Sequence, residues 1–202
     1  MLKTISNNPA DIIPTADIIL FCLPAFLVEQ TLETIKPYLS SKTIVGSVVG
    51  NTGFFIFAHK VLADQPIGLF AFQRVPYISR VVEYGKKASL LGYKDKLLIA
   101  TEHISNPQEF CNDISMLFCT PTILLQSFYE VTLSNSNPIL HTGRLYSMWK
   151  DWNGEHYKNN SLFYTSWTDE ASDLLIKMDE EFFCLLDKLG VSTEHLPTLL
   201  QH

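Results

Sequence analysis

The residues able to do chemistry concentrate in positions 135–152, Asn-Ser-Asn-Pro-Ile-Leu-His-Thr-Gly-Arg-Leu-Tyr-Ser-Met-Trp-Lys-Asp-Trp. An imidazole ionises near neutral pH and can both donate and accept a proton, so His141 is the candidate acid/base here. Asn137 reads as the N-cap of a helix, its side-chain oxygen free to accept an orphan backbone N–H. Pro138 then suits the first helical position, where a missing N–H costs nothing. From there His141, Leu145, Met148, Trp149 and Trp152 recur at three- and four-residue steps and share one face. A histidine on that face is either packed into a core or a catalytic acid/base. The spacing leaves both open.

The elements that must position this stretch are legible upstream. Residues 17–23 form a continuous apolar run, the pattern of a strand buried on both faces of a parallel sheet. Pro24, Ala25 and Phe26 follow it, and a helix runs to about Ile35, with Val28, Leu32 and Ile35 on one side. Residues 43–49 make the next strand, and Gly50-Asn51-Thr52-Gly53 a turn at its carboxyl end. Strand, helix, strand is the unit of an α/β fold, and ligands in such sheets lie beyond the carboxyl ends of the strands. Pro24, Ala25, Gly50 and Asn51 therefore mark the expected ligand edge.

Residues 68–73, 78–84, 88–91 and 96–100 are short, β-rich and separated by turns, suggesting a small antiparallel extension of the sheet. A helix is expected over about 108–118 and a last strand over 122–125. From residue 127 the pattern is helical, ending in a helix over about 172–189 that Gly190 stops. Leu174, Leu175, Met178, Phe182, Leu185 and Leu186 give that helix its apolar stripe, and Asp179, Glu180 and Glu181 its solvated side. The expected fold class is α/β, a partial Rossmann-like sheet over 1–126 followed by an all-α helical domain over 127–202.

Composition narrows the function. A 47% hydrophobic content supports a real core, and a net charge of −6 with scattered signs gives no nucleic-acid footprint. No apolar run reaches membrane-spanning length, and residues 1–8 lack a secretory core. Cys22, Cys111, Cys119 and Cys184 form no CxxC pair, have no zinc spacing with the six histidines, and fall in apolar surroundings. They read as reduced, buried thiols of a cytoplasmic protein with no metal site.

No G-x-G-x-x-G, no G-x-x-x-x-G-K-[ST] and no G-x-S-x-G occurs in the 202 residues. A βαβ unit needs about 30 residues, more than precede the first expected strand. A phosphate cradle is therefore not encoded here.

Together these residues resemble the opine dehydrogenase family, octopine dehydrogenases in particular. Residues 16–26 are similar to a later strand and loop of that family's Rossmann domain, and 80–92 to its sheet extension. The most specific likeness is Asn137-Pro-Ile-Leu-His141 with Tyr146, Trp149-Lys-Asp-Trp152, Asn153-Gly154 and Leu162-Phe-Tyr164, which resembles the start of its helical substrate domain. Thr142 stands where the family commonly has proline. The likeness covers a central portion, without the N-terminal glycine-rich motif or the C-terminal Arg-Tyr-x-x-Glu-Asp motif.

The resemblance implies an oxidoreductase that condenses an amino acid with a 2-oxo acid such as pyruvate and reduces the product with NAD or NADP in reduced form. It assigns His141 as the acid/base with Asn137 beside it. Pro24, Ala25, Phe26, Gly50 and Asn51 would face the cofactor, and Arg144, Tyr146 and Trp149 the substrates. Asp169 and Asp179 are the nearby downstream acids that could orient His141. The alternatives are a non-catalytic structural or interaction module derived from the family, or another Rossmann dehydrogenase of the ketopantoate reductase or glycerol-3-phosphate dehydrogenase type. A homodimer is an expected assembly, with no nucleic-acid or membrane partner.

Overall fold

Residues 3–159, 161–196, 198 and 199 are described by a computed structural model of the chain. Among the described residues there are seven strands: β1 (Ile18–Phe21), β2 (Ile44–Val48), β3 (Gly68–Phe72), β4 (Tyr77–Glu83), β5 (Lys87–Tyr93), β6 (Leu97–Glu102) and β7 (Thr122–Leu124). The described residues also form six α-helices: α1 (Ala25–Ile35), α2 (Phe54–Val61), α3 (Pro107–Phe118), α4 (Phe128–Thr132), α5 (Asn137–Trp149) and α6 (Asp169–Lys188). The chain divides into two compact units, Met1–Ser134 and Asn135–His202.

The first unit is built on a five-stranded sheet of order β1-β2-β3-β6-β7. β1, β2 and β3 run parallel, β6 is antiparallel to β3, and β7 is parallel to β6. β3 is buried along its whole length, and its alternate side chains feed two cores. Leu69 and Ala71 join Val28, Leu32, Val45, Phe54 and Phe55 on one face. Phe70 and Phe72 join Ile99, Phe110 and Ile114 on the other. A Cβ on Gly46 would stand 2.1 Å from the Phe70 ring, so only glycine lets that ring lie across β2.

The α/β class and the helical region that follows are as the sequence predicts. Four local expectations are corrected. β1 is the sheet's edge strand, with Ile18 and Leu20 more than a third exposed, rather than buried on both faces. The antiparallel extension is split: β6 joins the main sheet, whereas β4 and β5 pair only with each other in a separate hairpin. The division between units falls after Ser134 rather than at 126, because α4 belongs to the first unit. Its Val131 is fully buried in the first core, and Gln73 Nε2 donates to the Glu130 carbonyl at 3.1 Å. Among the four cysteines, all free, only Cys111 is buried; Cys22, Cys119 and Cys184 are exposed.

In the second unit α5 packs on α6. A Cβ at Gly143 would lie 2.8 Å from Leu175 Cδ2 and 3.1 Å from Met178 Sδ, so glycine permits the close crossing. Gly190 ends α6 with φ of 65°, while Gly190 and Val191 donate to the Asp187 and Leu186 carbonyls, both at 3.0 Å. That pair of bonds is the Schellman arrangement expected of a glycine stop. No described helix is long and apolar enough to cross a membrane.

Candidate functional site

The carboxyl ends of β1 and β2 are neighbours because the two strands are parallel and in register from Ile18 opposite Ile44 to Phe21 opposite Ser47. Pro24, Ala25 and Phe26 leave β1 as the N-cap and first turn of α1, and Gly50 and Asn51 leave β2 in a 3-10 turn. These two groups of predicted residues thus share one sheet end. Pro24 lacks any side-chain capping bond, and Phe26 is 80% exposed. The uncapped start of α1 leaves backbone N–H donors open to an accepting or anionic group.

Gly50 departs from that picture. It is buried, and an added Cβ would lie 2.3 Å from Val131 Cγ1 and 3.0 Å from Ala71 Cβ. Its missing side chain makes room for α4, so the protein itself fills the space. The described residues supply no glycine-rich turn for a pyrophosphate.

Two residues at this sheet end escaped the sequence reading. Gln73 and Arg74 follow the carboxyl end of β3, as Pro24 and Gly50 follow β1 and β2. Arg74 is half-buried, its Nη2 donates to the Ser134 carbonyl at 2.7 Å, and burial lowers its pKa. The signal that could have found it was its position just past a third parallel strand.

In the second unit α5 begins one residue earlier than expected. Ser136 is the N-cap residue without a side-chain bond, Asn137 is the first helical residue, and Pro138 the second. The Asn135 side chain takes the capping role instead, accepting the Asn137 N–H at 3.1 Å. Asn137 and His141 remain four residues apart in the helix and so lie on one face.

That face is solvent-facing. His141, Leu145, Tyr146 and Trp149 are exposed, whereas Gly143 and Arg144 are the buried residues of α5. The His141 ring lies 5.2 Å from the Phe163 ring and makes no hydrogen bond among the described residues. A core role for His141 is thereby removed; an exposed imidazole can exchange a proton with a ligand.

Arg144, expected to meet substrate, is corrected. It is 2% exposed, and its guanidinium is spent on the protein. Nε donates to the Phe163 carbonyl at 2.9 Å, Nη2 to the Ser166 carbonyl at 2.6 Å, and Nη1 to Ser147 Oγ at 3.3 Å. Its Cζ also lies 5.3 Å over the Trp167 ring. Arg144 ties the segment 163–167 to α5.

Asp179, expected on the solvated side of α6, is buried instead. Its Oδ2 accepts the Leu199 N–H at 3.0 Å, beside a cavity of about 520 Å³ lined by Leu140, Trp167, Leu175 and Phe183. Asp169 sits exposed in the first turn of α6. Neither bonds to His141 among the described residues, and no group there could hold a metal ion. Trp149 lines a separate, open cavity with Trp152, Glu155, His156 and Tyr157.

Residues 124–202 match the family of the NAD/NADP octopine/nopaline dehydrogenase alpha-helical domain. Over 89% of its length the chain is 27% identical to an opine dehydrogenase of Haliotis discus hannai, covering 46% of that protein. Over 93% of its length it is 26% identical to a tauropine dehydrogenase of Arabella iricolor, covering 49% of it. A solved octopine dehydrogenase with NADH and L-arginine shares the fold at a TM-score of 0.83 and 21% identity, over 100% of this chain and 52% of that one. The chain spans about half the length of the curated relatives it matches. The family cofactor is NAD or NADP. The chain is thus similar to opine dehydrogenases in sequence and to octopine dehydrogenase in fold.

Proposed function

We propose that this chain serves the reductive condensation of an amino acid with a 2-oxo acid such as pyruvate, His141 acting as general acid/base. The observation that carries the reading is an exposed His141, one turn after Asn137, within the segment that matches the family's alpha-helical domain. The amine nitrogen bonds to the carbonyl carbon and the carbonyl oxygen leaves as water. The neutral amine sheds both its protons in turn as the C=N bond forms, and His141 relays them to the departing oxygen, which carries them away as water. NAD(P)H supplies the hydride when bound. Asn137 offers a polar neighbour on the same face, and Tyr146 and Trp149 border the substrates. Pro24, Ala25, Phe26 and Asn51 hold the nicotinamide end, while Gly50 keeps the turn beside them closed against Val131.

Four free cysteines suit a reducing compartment, and we place the protein in the cytoplasm. A homodimer is part of the proposal, checked by sedimentation. The function is tested by following NADH and NADPH oxidation with pyruvate and a panel of amino acids, the product identified by mass. Amino-acid-dependent oxidation giving the N-linked product supports it. Its absence across the panel overturns it.

A further inference from the structure

A cavity of about 260 Å³ lies between the carboxyl end of β3 and the segment leading from β5 into β6, lined by Gln73 and Arg74 on one side and residues 94–98 on the other. All of it belongs to the first unit. Two backbone bonds tie the walls together. The Gln73 N–H donates to the Leu98 carbonyl at 2.8 Å, and the Lys94 N–H to the Pro76 carbonyl at 3.1 Å.

The lining is cationic in a chain whose net charge is −6. Arg74, Lys94 and Lys96 stand against one carboxylate, Asp95, leaving two positive charges in balance. Arg74 Nη2 donates to the Ser134 carbonyl at 2.7 Å, a neutral partner that holds the guanidinium without cancelling its charge. Among the described residues Lys94, Lys96 and Asp95 enter no ion pair, the lysines that do being 36, 60, 86 and 150. Gln73, the buried polar side chain of the lining, is fixed by the Glu130 carbonyl.

Two positive charges carried on N–H donors complement a dianion with oxygen acceptors. The carboxylate narrows the choice. Ionised Asp95 can only accept a hydrogen bond, so it repels an oxyanion without a proton and pairs with one that keeps an O–H. Hydrogen phosphate meets both conditions just above neutral pH. Sulfate has the charge without the proton.

We infer that this cavity binds inorganic hydrogen phosphate, with Arg74, Lys94 and Lys96 donating to its oxygens and Asp95 accepting its O–H. The inference goes beyond the proposed reaction and is measured without NAD(P)H or turnover, so either can fail alone.

The experiment is a titration of the full chain followed by the backbone amide signals of residues 73, 74 and 94–98 in 1H-15N NMR spectra. Slightly alkaline pH keeps phosphate dianionic, and constant ionic strength keeps screening equal. Phosphate is compared with sulfate and with methyl phosphate, which has its shape and charge but no O–H. Saturable shifts with phosphate are expected, with dissociation constants at least about 10-fold weaker for the other two anions. The double variant Lys94→Ala with Lys96→Ala, both at exposed positions, weakens phosphate binding at least about 10-fold. Asp95→Asn brings the phosphate and sulfate constants to within about 3-fold of each other. No saturation, sulfate or methyl phosphate bound as tightly as phosphate, full phosphate affinity in the double lysine variant, or an unchanged phosphate preference in Asp95→Asn overturns the inference.

Discussion

Arg144 donates from Nε to the Phe163 carbonyl at 2.9 Å, and the ring of that same Phe163 lies 5.2 Å from the imidazole of His141. The buried guanidinium on one face of α5 thus fixes the wall against which the candidate acid/base rests. Arg144 is a positioning residue.

Arg144→Lys is expected to destabilise the second unit by about 2–3 kcal/mol, read as a lower urea midpoint. An ammonium cannot reach the Phe163 and Ser166 carbonyls and Ser147 together as the planar fork does. An unchanged midpoint would remove its structural role.

Gly50→Ala forces a methyl to within 2.3 Å of Val131 Cγ1, a β-branched side chain that cannot rotate away freely. The expected cost is about 1–3 kcal/mol. Adding Val131→Ala should recover the part due to the clash, though a cavity term remains. A double variant no more stable than Gly50→Ala alone would place the strain elsewhere.

Cysteine alkylation should divide the thiols three to one. Cys22, Cys119 and Cys184 are exposed and should react with iodoacetamide in the folded protein, as mass spectrometry resolves. Cys111 is fully buried, its Sγ donates to the Thr122 carbonyl at 3.2 Å, and desolvation raises its pKa. A raised thiol pKa leaves less of the reactive thiolate at a given pH, so Cys111 should lag until the protein unfolds. Equal rates at all four would contradict the burial.

The sequence was most legible where one local rule decides the outcome. Val28, Leu32 and Ile35 occupy the buried side of α1, and Gly190 stops α6, because periodicity and a left-handed terminus need no distant partner. It was least legible where tertiary packing chooses among faces. The spacing of the apolar residues of α5 left open whether the face of His141 and Trp149 is buried. The helix buries the face of Gly143, since only there can Leu175 and Met178 approach closely. Arg144 follows its neighbour inward, and Asp179 is buried for the same kind of reason, a backbone partner that sequence spacing does not reveal. Ile18 and Leu20 looked fully buried because an apolar run marks strand type, not a place at the sheet's edge.

The most direct measurement is steady-state turnover of NADH with pyruvate and amino acid by the wild-type protein and by His141→Ala, with NADH affinity measured alongside. His141 is exposed and unbonded among the described residues, so its removal should leave folding and cofactor binding intact. The predicted result is a fall in kcat of about 10²–10⁴-fold at retained NADH affinity. Turnover unchanged in His141→Ala would contradict its assignment as the general acid/base.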